Sequence, residues 1–151
     1  MPNTHRVLAA AFLGALVGLC GCSGGPEFAE VEGVVSLKGK PLPEVEIVFA
    51  PMTEKGTTGP TAACVTDAQG RYRLKCERAG RTGALVGTHR VVIRDIGAIP
   101  PPPGLEILDE KGRPYQPKPL RVPDRYTDLL KTPFQDVEVH AGKQALDFDV
   151  K

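Results

Sequence analysis

The sequence predicts an all-β domain, folded as a seven-stranded antiparallel β-sandwich with a long proline-rich loop. Hydrophobic and polar residues alternate with period two in several short segments, which is typical of strands with one buried face. Turn-forming residues separate most of these segments, and the 17 glycines and 15 prolines are concentrated in the intervening loops. After the first 21 residues, no segment has the periodicity of an amphipathic helix.

The N-terminal 21 residues have the pattern of a signal peptide. Arg6 is the only Lys, Arg, Asp or Glu among them, and an uncharged run at residues 7–19 follows it. As a helix these 13 residues would measure about 20 Å, which is shorter than the roughly 30 Å hydrocarbon core of a bilayer. The run therefore fits the hydrophobic region of a signal peptide better than a membrane span.

The end of this run resembles the bacterial lipobox. Leu19 lies three residues before Cys22 and the small Gly21 lies directly before it, whereas Cys20 would have Leu19 at the cleavage point. The resemblance implies that signal peptidase II cuts before Cys22 and that the Cys22 thiol carries a diacylglycerol. Two or three acyl chains on one residue give stable membrane anchoring. An ordinary secretory signal and a retained membrane anchor remain as alternatives.

Three parts are therefore predicted: a lipoprotein signal peptide at residues 1–21, a lipidated tether at 22–30 and a β-sandwich at 31–151. The predicted location is the cell envelope, anchored to a membrane on its periplasmic side or at the cell surface. Removal of Arg6 leaves 18 basic against 18 acidic side chains, from 19 and 18 in the whole chain. A neutral domain has no basic field for a polyphosphate, so nucleic acid is not an expected partner.

The first two predicted strands lie at residues 31–37 and 45–49, with a turn at residues 38–41 between them. Glycine supplies an unusual φ in that turn and proline fixes its own φ. Every second residue of both strands is apolar and is predicted to face the core. These residues are Val31, Val35, Leu37, Val45, Ile47 and Phe49.

The third and fourth strands, at residues 61–66 and 71–76, form the clearest hairpin in the sequence. Asp67 can accept hydrogen bonds from its own backbone and Gly70 can adopt a positive φ, so residues 67–70 are predicted as a tight turn. Every second residue of the fourth strand is predicted to face inward. These residues are Tyr72, Leu74 and Cys76.

The rest of the chain adds three predicted strands, at residues 88–94, 137–139 and 146–150. Residues 96–123 lie between the first two of these strands and are predicted to be irregular. Eight of the 15 prolines lie in this segment, and no central strand tolerates that density. A loop of this length is usually functional, disordered or a lid.

Six stretches of the predicted sandwich carry a resemblance: Gly33–Pro43, Ile47–Phe49, Thr66–Leu74 and Gly87–Ile93, followed by Val122–Asp128 and Leu146–Val150. Taken in order, the first four resemble the carboxypeptidase regulatory-like domain, and the last two resemble a lipoprotein subgroup that is abundant in planctomycetes. The resemblance covers nearly all of residues 31–151. It implies a transthyretin-like (prealbumin-like) sandwich of seven strands and a non-catalytic role as an accessory, stabilising or adhesive module. His89 departs from the family, which usually has an aromatic residue there, and Cys64 and Cys76 are not family features.

No set of residues in the sequence predicts catalysis or a bound cofactor. His89 lies on the inward face of a strand and is predicted to be a core side chain with a hydrogen-bond partner, and His140 is predicted to be exposed. A zinc site would need a third ligand at a suitable spacing. The His-x-His pair of the intradiol dioxygenases and the C-terminal Tyr-Arg-Gly-Ser of the 5-hydroxyisourate hydrolases, which use related sandwiches, are both absent. The chain is therefore predicted not to be an enzyme and to bind no metal.

Two cysteines of the predicted sandwich, Cys64 and Cys76, lie on the two strands of the hairpin. Export exposes them to oxidising conditions, which favour a disulfide. If residues 67–70 form the loop, Cys64 lies opposite Arg73 and points outward while Cys76 points inward. A bulge would be needed to bring both thiols to one face. A structural disulfide and two separate thiols both remain open.

The expected function is that of a binding or structural module, anchored in the envelope and presenting its loops to a protein or polysaccharide partner. The alternative is an accessory subunit of an envelope enzyme or transport complex. The proline-rich loop is the best candidate for recognition, because extended proline-rich segments bind aromatic grooves. A spacer, or a cover for a sheet edge, is the other interpretation of that loop.

Overall fold

The computed structural model describes residues 25–98, 102–116 and 119–151, and Cys22 with the predicted signal peptide lies outside these ranges. The fold is all-β, with 41% strand and no helix of seven or more residues in the described ranges. The strands are β1 (Phe28–Leu37), β2 (Lys40–Pro41), β3 (Glu46–Pro51), β4 (Ala62–Val65), β5 (Arg71–Arg73), β6 (Lys75–Cys76), β7 (Arg81–Thr82), β8 (Ala84–Leu85), β9 (Gly87–Arg94), β10 (Val137–Val139), β11 (Lys143–Ala145) and β12 (Phe148–Val150). Single 3-10 turns lie at Thr53–Lys55, Glu77–Ala79, Ile96–Ala98 and Asp124–Tyr126.

The strands form two sheets. The first is built around β1, which pairs antiparallel with β2, β5 and β8 and parallel with β11 and β12. The second has the order β10-β9-β3-β4-β6-β7 and is antiparallel throughout. The predicted antiparallel pairing therefore holds for eight of the ten strand pairs in the described ranges, and the two parallel pairs join β1 to the C-terminal strands.

Each of the seven predicted segments contains a strand, but the segment at residues 71–76 is divided between the sheets. Its first part, β5, pairs with β1, and its second part, β6, pairs with β4. Leu74 lies at the crossing and is fully buried. The prediction of one continuous strand here was wrong, because the chain must leave one sheet to reach the other. Strands β2, β7, β8 and β11 were not predicted, since two or three residues are too few to show alternation.

The two sheets share one hydrophobic core, as in a β-sandwich. Phe49 of the second sheet contacts Phe148 and Tyr72 of the first, with ring centroids 5.8 and 6.4 Å apart. Such aromatic pairs add about 0.5–1.5 kcal/mol each beyond the burial of their surface. Most of the residues predicted to face inward are buried. They are Val31, Val35, Val45, Ile47, Phe49, Tyr72, Leu74, Cys76, His89, Val91, Ile93, Phe148 and Val150.

The sandwich has two distinct ends. The N-terminal end is where β1 begins, with Phe28 opposite Leu85 of β8, and β9 starts two residues after Leu85. From there β9 runs to Arg94, which lies opposite Glu46 at the start of β3. We call this second region the far end. The eight residues of β9 cover about 25 Å, so the two ends lie roughly that far apart.

Candidate functional site

The predicted outward orientation of Cys64 was wrong. Strands β4 and β6 pair with Ala63 opposite Lys75, which places Cys64 opposite Leu74 and turns its side chain toward the core, on the same face as Cys76. The cause lies in the turn, where Asp67 N–H donates to the carbonyl of Arg71 at 2.9 Å. The pairing is therefore shifted by one residue from the predicted register, and a shift of one residue reverses the face of every side chain.

Cys64 and Cys76 are free thiols. They are diagonal neighbours on β4 and β6, a relation that separates Cα atoms by about 7–8 Å, whereas disulfides usually need less than about 6.8 Å. Joining them would require the backbone to move. Burial raises the pKa of the Cys64 thiol from 9.0 to about 11, so this thiol stays protonated at neutral pH.

The two histidines of the sandwich have structural positions. His89 is 1% exposed, its Nδ1 lies 3.1 Å from the carbonyl of Gly87, and its ring centroid lies 5.9 Å from that of Phe49. This confirms a core side chain with a hydrogen-bond partner, and burial lowers the pKa of His89 from its ordinary value. His140 is exposed, as predicted. Over the described ranges, no three His, Cys, Asp or Glu side chains come together as metal ligands.

The proline-rich segment contains a small hairpin that was not predicted. Tyr115 N–H donates to the carbonyl of Ile107 at 2.7 Å, Leu108 pairs with Pro114 in an antiparallel bridge, and Asp109 N–H donates to the carbonyl of Arg113 at 2.8 Å. We call residues 105–116 the arm. All of its side chains are exposed except those of Asp109 and Tyr115, which are half-buried. The arm therefore contributes little to the core.

The turn of the arm repeats the turn that connects β4 to β5. Asp109 Oδ1 accepts hydrogen bonds from the N–H groups of Lys111 and Arg113, both at 2.9 Å. The shared sequence is Asp-x-x-Gly-Arg, present at residues 67–71 and again at 109–113. This repeat is the signal that would have located the second hairpin, and the high proline content of the segment concealed it.

A buried ion pair closes the root of the proline-rich segment. Arg121 donates from Nη2 to Asp95 Oδ1 at 2.6 Å and from Nε to Asp95 Oδ2 at 2.8 Å, and its backbone N–H donates to Oδ2 at 3.1 Å. The Asp95 side chain is fully buried, and the Arg121 guanidinium holds the pKa of its carboxyl below the usual range. We call Asp95 and Arg121 the root pair, because they join the two ends of the segment at the far end of the sandwich.

One groove of the molecule lies on the arm. It has a volume of about 630 Å³, which falls within the usual 300–1,000 Å³ of small-molecule sites. The Tyr115 hydroxyl donates to the carbonyl of Gly97 at 2.7 Å, which fixes the ring against the start of the segment. The residues that line the groove are Asp109, Arg113, Pro114, Tyr115 and Gln116. They offer one aromatic ring together with amide, guanidinium and carboxylate groups, a combination that suits binding.

The proline-rich segment also carries large apolar side chains on its surface. Five of them are between 38% and 60% exposed: Ile96, Leu105, Ile107, Leu108 and Leu120. Single exposed apolar residues are ordinary on protein surfaces, but a concentration of them in one segment marks an interaction site more often than chance would.

Comparison with known proteins identifies no relative: no protein-family model, no curated protein and no solved structure matches this chain. Within the described ranges, no helix has the length and apolar character to cross a membrane.

Proposed function

We propose that this chain is a non-catalytic lipoprotein of the cell envelope, in which the β-sandwich holds the arm away from the membrane for a protein or polysaccharide partner. The observation that carries the proposal is that the tether and the proline-rich segment are attached at opposite ends of the sandwich. The tether joins β1 at the N-terminal end, and the root pair attaches the proline-rich segment at the far end.

The dimensions support this arrangement. Residues 22–27 separate the predicted lipid-bearing Cys22 from β1, and six residues reach at most about 20 Å. The sandwich would therefore stay close to the bilayer surface. The length of β9 adds about 25 Å, so the arm would lie beyond the first layer of headgroups and within reach of envelope components.

We further propose that the domain is of the carboxypeptidase regulatory-like type, with a prealbumin-like sandwich whose main strands lie in the seven predicted segments and with residues 96–123 as its long loop. Two sheets around one core support this assignment. Such a domain would act without a cofactor and without catalysis of its own, and its neutral charge makes nucleic acid an unsuitable partner.

Intact mass of the protein from the membrane fraction tests the anchor. We expect the wild-type chain to begin at Cys22 with the added mass of its acyl chains. Cys22→Ala should remove that mass and release the protein from the membrane. Cys20→Ala is the matched control, because Cys20 has Leu19 rather than a small residue before it, and this variant should remain acylated and membrane-bound.

A soluble, unacylated wild-type protein cut at another position would contradict the anchor. The domain would then be a secreted module and its partner would lie outside the cell. Acylation of the Cys22→Ala variant at Cys20 would show that the modified residue had been misassigned.

The exposed apolar side chains of the segment favour a second candidate, an accessory subunit of an envelope enzyme or transport complex. A protein subunit would bury Leu105, Ile107 and Leu108, whereas a polysaccharide would gain little from them. Leu108→Asp should then abolish a stoichiometric complex after mild detergent extraction. Leu130→Asp is the matched control, because Leu130 is 81% exposed and lies outside the segment. A complex that resists Leu108→Asp would contradict this candidate.

A further inference from the structure

Two of the side chains that line the groove on the arm, Arg113 and Tyr115, already have hydrogen-bond partners within the protein. Arg113 donates from Nε and Nη2 to Asp109 Oδ2 at 2.9 and 2.7 Å, so its guanidinium is held before any ligand arrives. Tyr115 is held by its hydroxyl at Gly97. A site that is ordered in advance loses less conformational entropy on binding, which favours affinity for a given set of contacts.

The charges of the described lining cancel. Among the lining residues that the structure describes, Asp109 carries the one carboxylate and Arg113 the one guanidinium, and the two are paired with each other. Both oxygens of Asp109 already accept hydrogen bonds, Oδ1 from the turn and Oδ2 from Arg113. This part of the groove therefore favours a neutral ligand over an anion or a cation.

The groups that remain for a ligand suit a polyhydroxylated molecule. Arg113 keeps N–H donors that do not face Asp109, and the Gln116 amide has both a donor and an acceptor. The Tyr115 ring adds an apolar surface to the same lining. Sugar rings combine these requirements, because their C–H faces stack on aromatic rings while their hydroxyl groups both donate and accept hydrogen bonds.

We propose that the groove of the arm binds a neutral oligosaccharide, with the Tyr115 ring as the stacking surface and with Arg113 and Gln116 as hydrogen-bonding groups for its hydroxyls. This inference rests on the proposed function, because it names which class of envelope partner the arm contacts. A proline-rich peptide is the competing ligand, but peptide grooves of that kind are lined with several aromatic rings, and the lining that the structure describes has one.

Titration of the full acylated chain in detergent, followed by the amide shifts of residues 105–116, tests the assignment. The probes are hexasaccharides of β-1,4-glucose, α-1,4-glucose, β-1,4-mannose and β-1,4-N-acetylglucosamine, with hexagalacturonate as the charged control and a proline decapeptide as the peptide control. We expect at least one neutral hexasaccharide to shift the arm amides in a saturable manner, with hexagalacturonate and the decapeptide causing no shift.

Variants of the groove separate stacking from hydrogen bonding. Tyr115→Ala should weaken binding by about tenfold, whereas Tyr115→Phe keeps the ring and should stay within about threefold of the wild type. Gln116→Ala should weaken binding by about fivefold, the cost of one hydrogen bond of about 1 kcal/mol. Gln69→Ala is its matched control, since Gln69 is an exposed amide on the other Asp-x-x-Gly-Arg turn, and should leave binding unchanged.

Three results would overturn the assignment: no shift with any neutral hexasaccharide, unchanged binding by Tyr115→Ala, or saturable shifts with the proline decapeptide alone. Each leaves the anchor at Cys22 unaffected, because intact mass decides that question independently. If the protein lacks the lipid anchor but still binds a saccharide, the proposed envelope location is wrong and the assignment of the groove stands.

Discussion

The same five-residue turn occurs twice in this molecule, once inside the sandwich and once on the arm. In Asp67–Arg71 and in Asp109–Arg113, the aspartate Oδ1 accepts from the N–H groups two and four residues later, all at 2.9 Å. Their surroundings differ. A Cβ built on Gly70 would lie 2.6 Å from the carbonyl oxygen of Val35, whereas one built on Gly112 would meet nothing within 4 Å.

This difference shows that the local sequence determines the conformation of the turn, whereas packing determines where the turn lies in the fold. Asp-x-x-Gly-Arg is sufficient to define the turn, because the aspartate satisfies two backbone donors and the glycine takes the positive φ that each copy requires, 71° and 72°. Packing then decides the use of the turn. The first copy closes the core against β1, and the second presents the arm to solvent.

The largest expected loss of stability comes from a substitution in the first copy of the turn, at Gly70. Gly70→Ala combines a strained φ with overlap of backbone atoms, and should lower the free energy of unfolding by about 3 kcal/mol or more. Gly112→Ala carries only the local strain of about 1 kcal/mol, which the arm can relieve by opening. Urea denaturation measures the first effect, and amide exchange in the arm measures the second. Equal loss of global stability in both variants would contradict the distinction.

The second prediction compares the loss of two aspartate–arginine ion pairs, Asp95–Arg121 and Asp109–Arg113. Arg121→Ala leaves the buried Asp95 carboxylate without its partner and should cost about 2–3 kcal/mol, since Arg121 is partly exposed and water can reach the site. Arg113→Ala removes an exposed pair and should cost less than about 1 kcal/mol. Thermal unfolding measures both. Arg121→Lys keeps the charge but loses the bidentate contact, so it should fall between wild type and Arg121→Ala.

Lowering the pH should destabilise the sandwich before it opens the turn of the arm, and this is the smallest of the expected effects. Burial lowers the pKa of His89 below its ordinary 6.5, so the stability linked to it is complete above that pH and is lost as the pH falls through the folded value. Arg113 lowers the pKa of Asp109 below 3.8, so the arm keeps its turn until the pH falls further. Urea denaturation at pH 7 and pH 5 should show a loss that His89→Phe removes. An equal loss in His89→Phe would assign the acid sensitivity elsewhere.

The strands that could be predicted from the sequence are those in which hydrophobic and polar residues alternate over several positions. All seven predicted segments contain strands, and Phe49, Tyr72 and Phe148 were placed correctly in the core. The division of residues 71–76 between two sheets was not predictable, because Leu74 faces inward whether the strand is continuous or crosses. The orientation of Cys64 depended on a one-residue choice of loop length, which local turn chemistry alone did not fix.

The candidate site was predicted only in outline. The proline-rich segment was predicted as the best place for recognition, but its placement on the sandwich depends on Tyr115 reaching Gly97 and on Arg121 reaching Asp95, and both contacts join residues far apart in the chain. The repeat of Asp-x-x-Gly-Arg was readable from the sequence and would have revealed the hairpin of the arm.

The sandwich carries the fold while the arm is free for recognition, and replacement of residues 98–119, which include the arm, tests this division most directly. Because the root pair holds the two ends of the segment together, residues 98–119 can be replaced by a short Gly-Ser linker. The closure entropy of a loop depends only weakly on its length, so the free energy of unfolding should change by less than about 2 kcal/mol. Calorimetry should show one cooperative transition, with a free energy of unfolding within about 2 kcal/mol of the wild type. Loss of cooperative unfolding would show that the arm is part of the fold and would contradict the account.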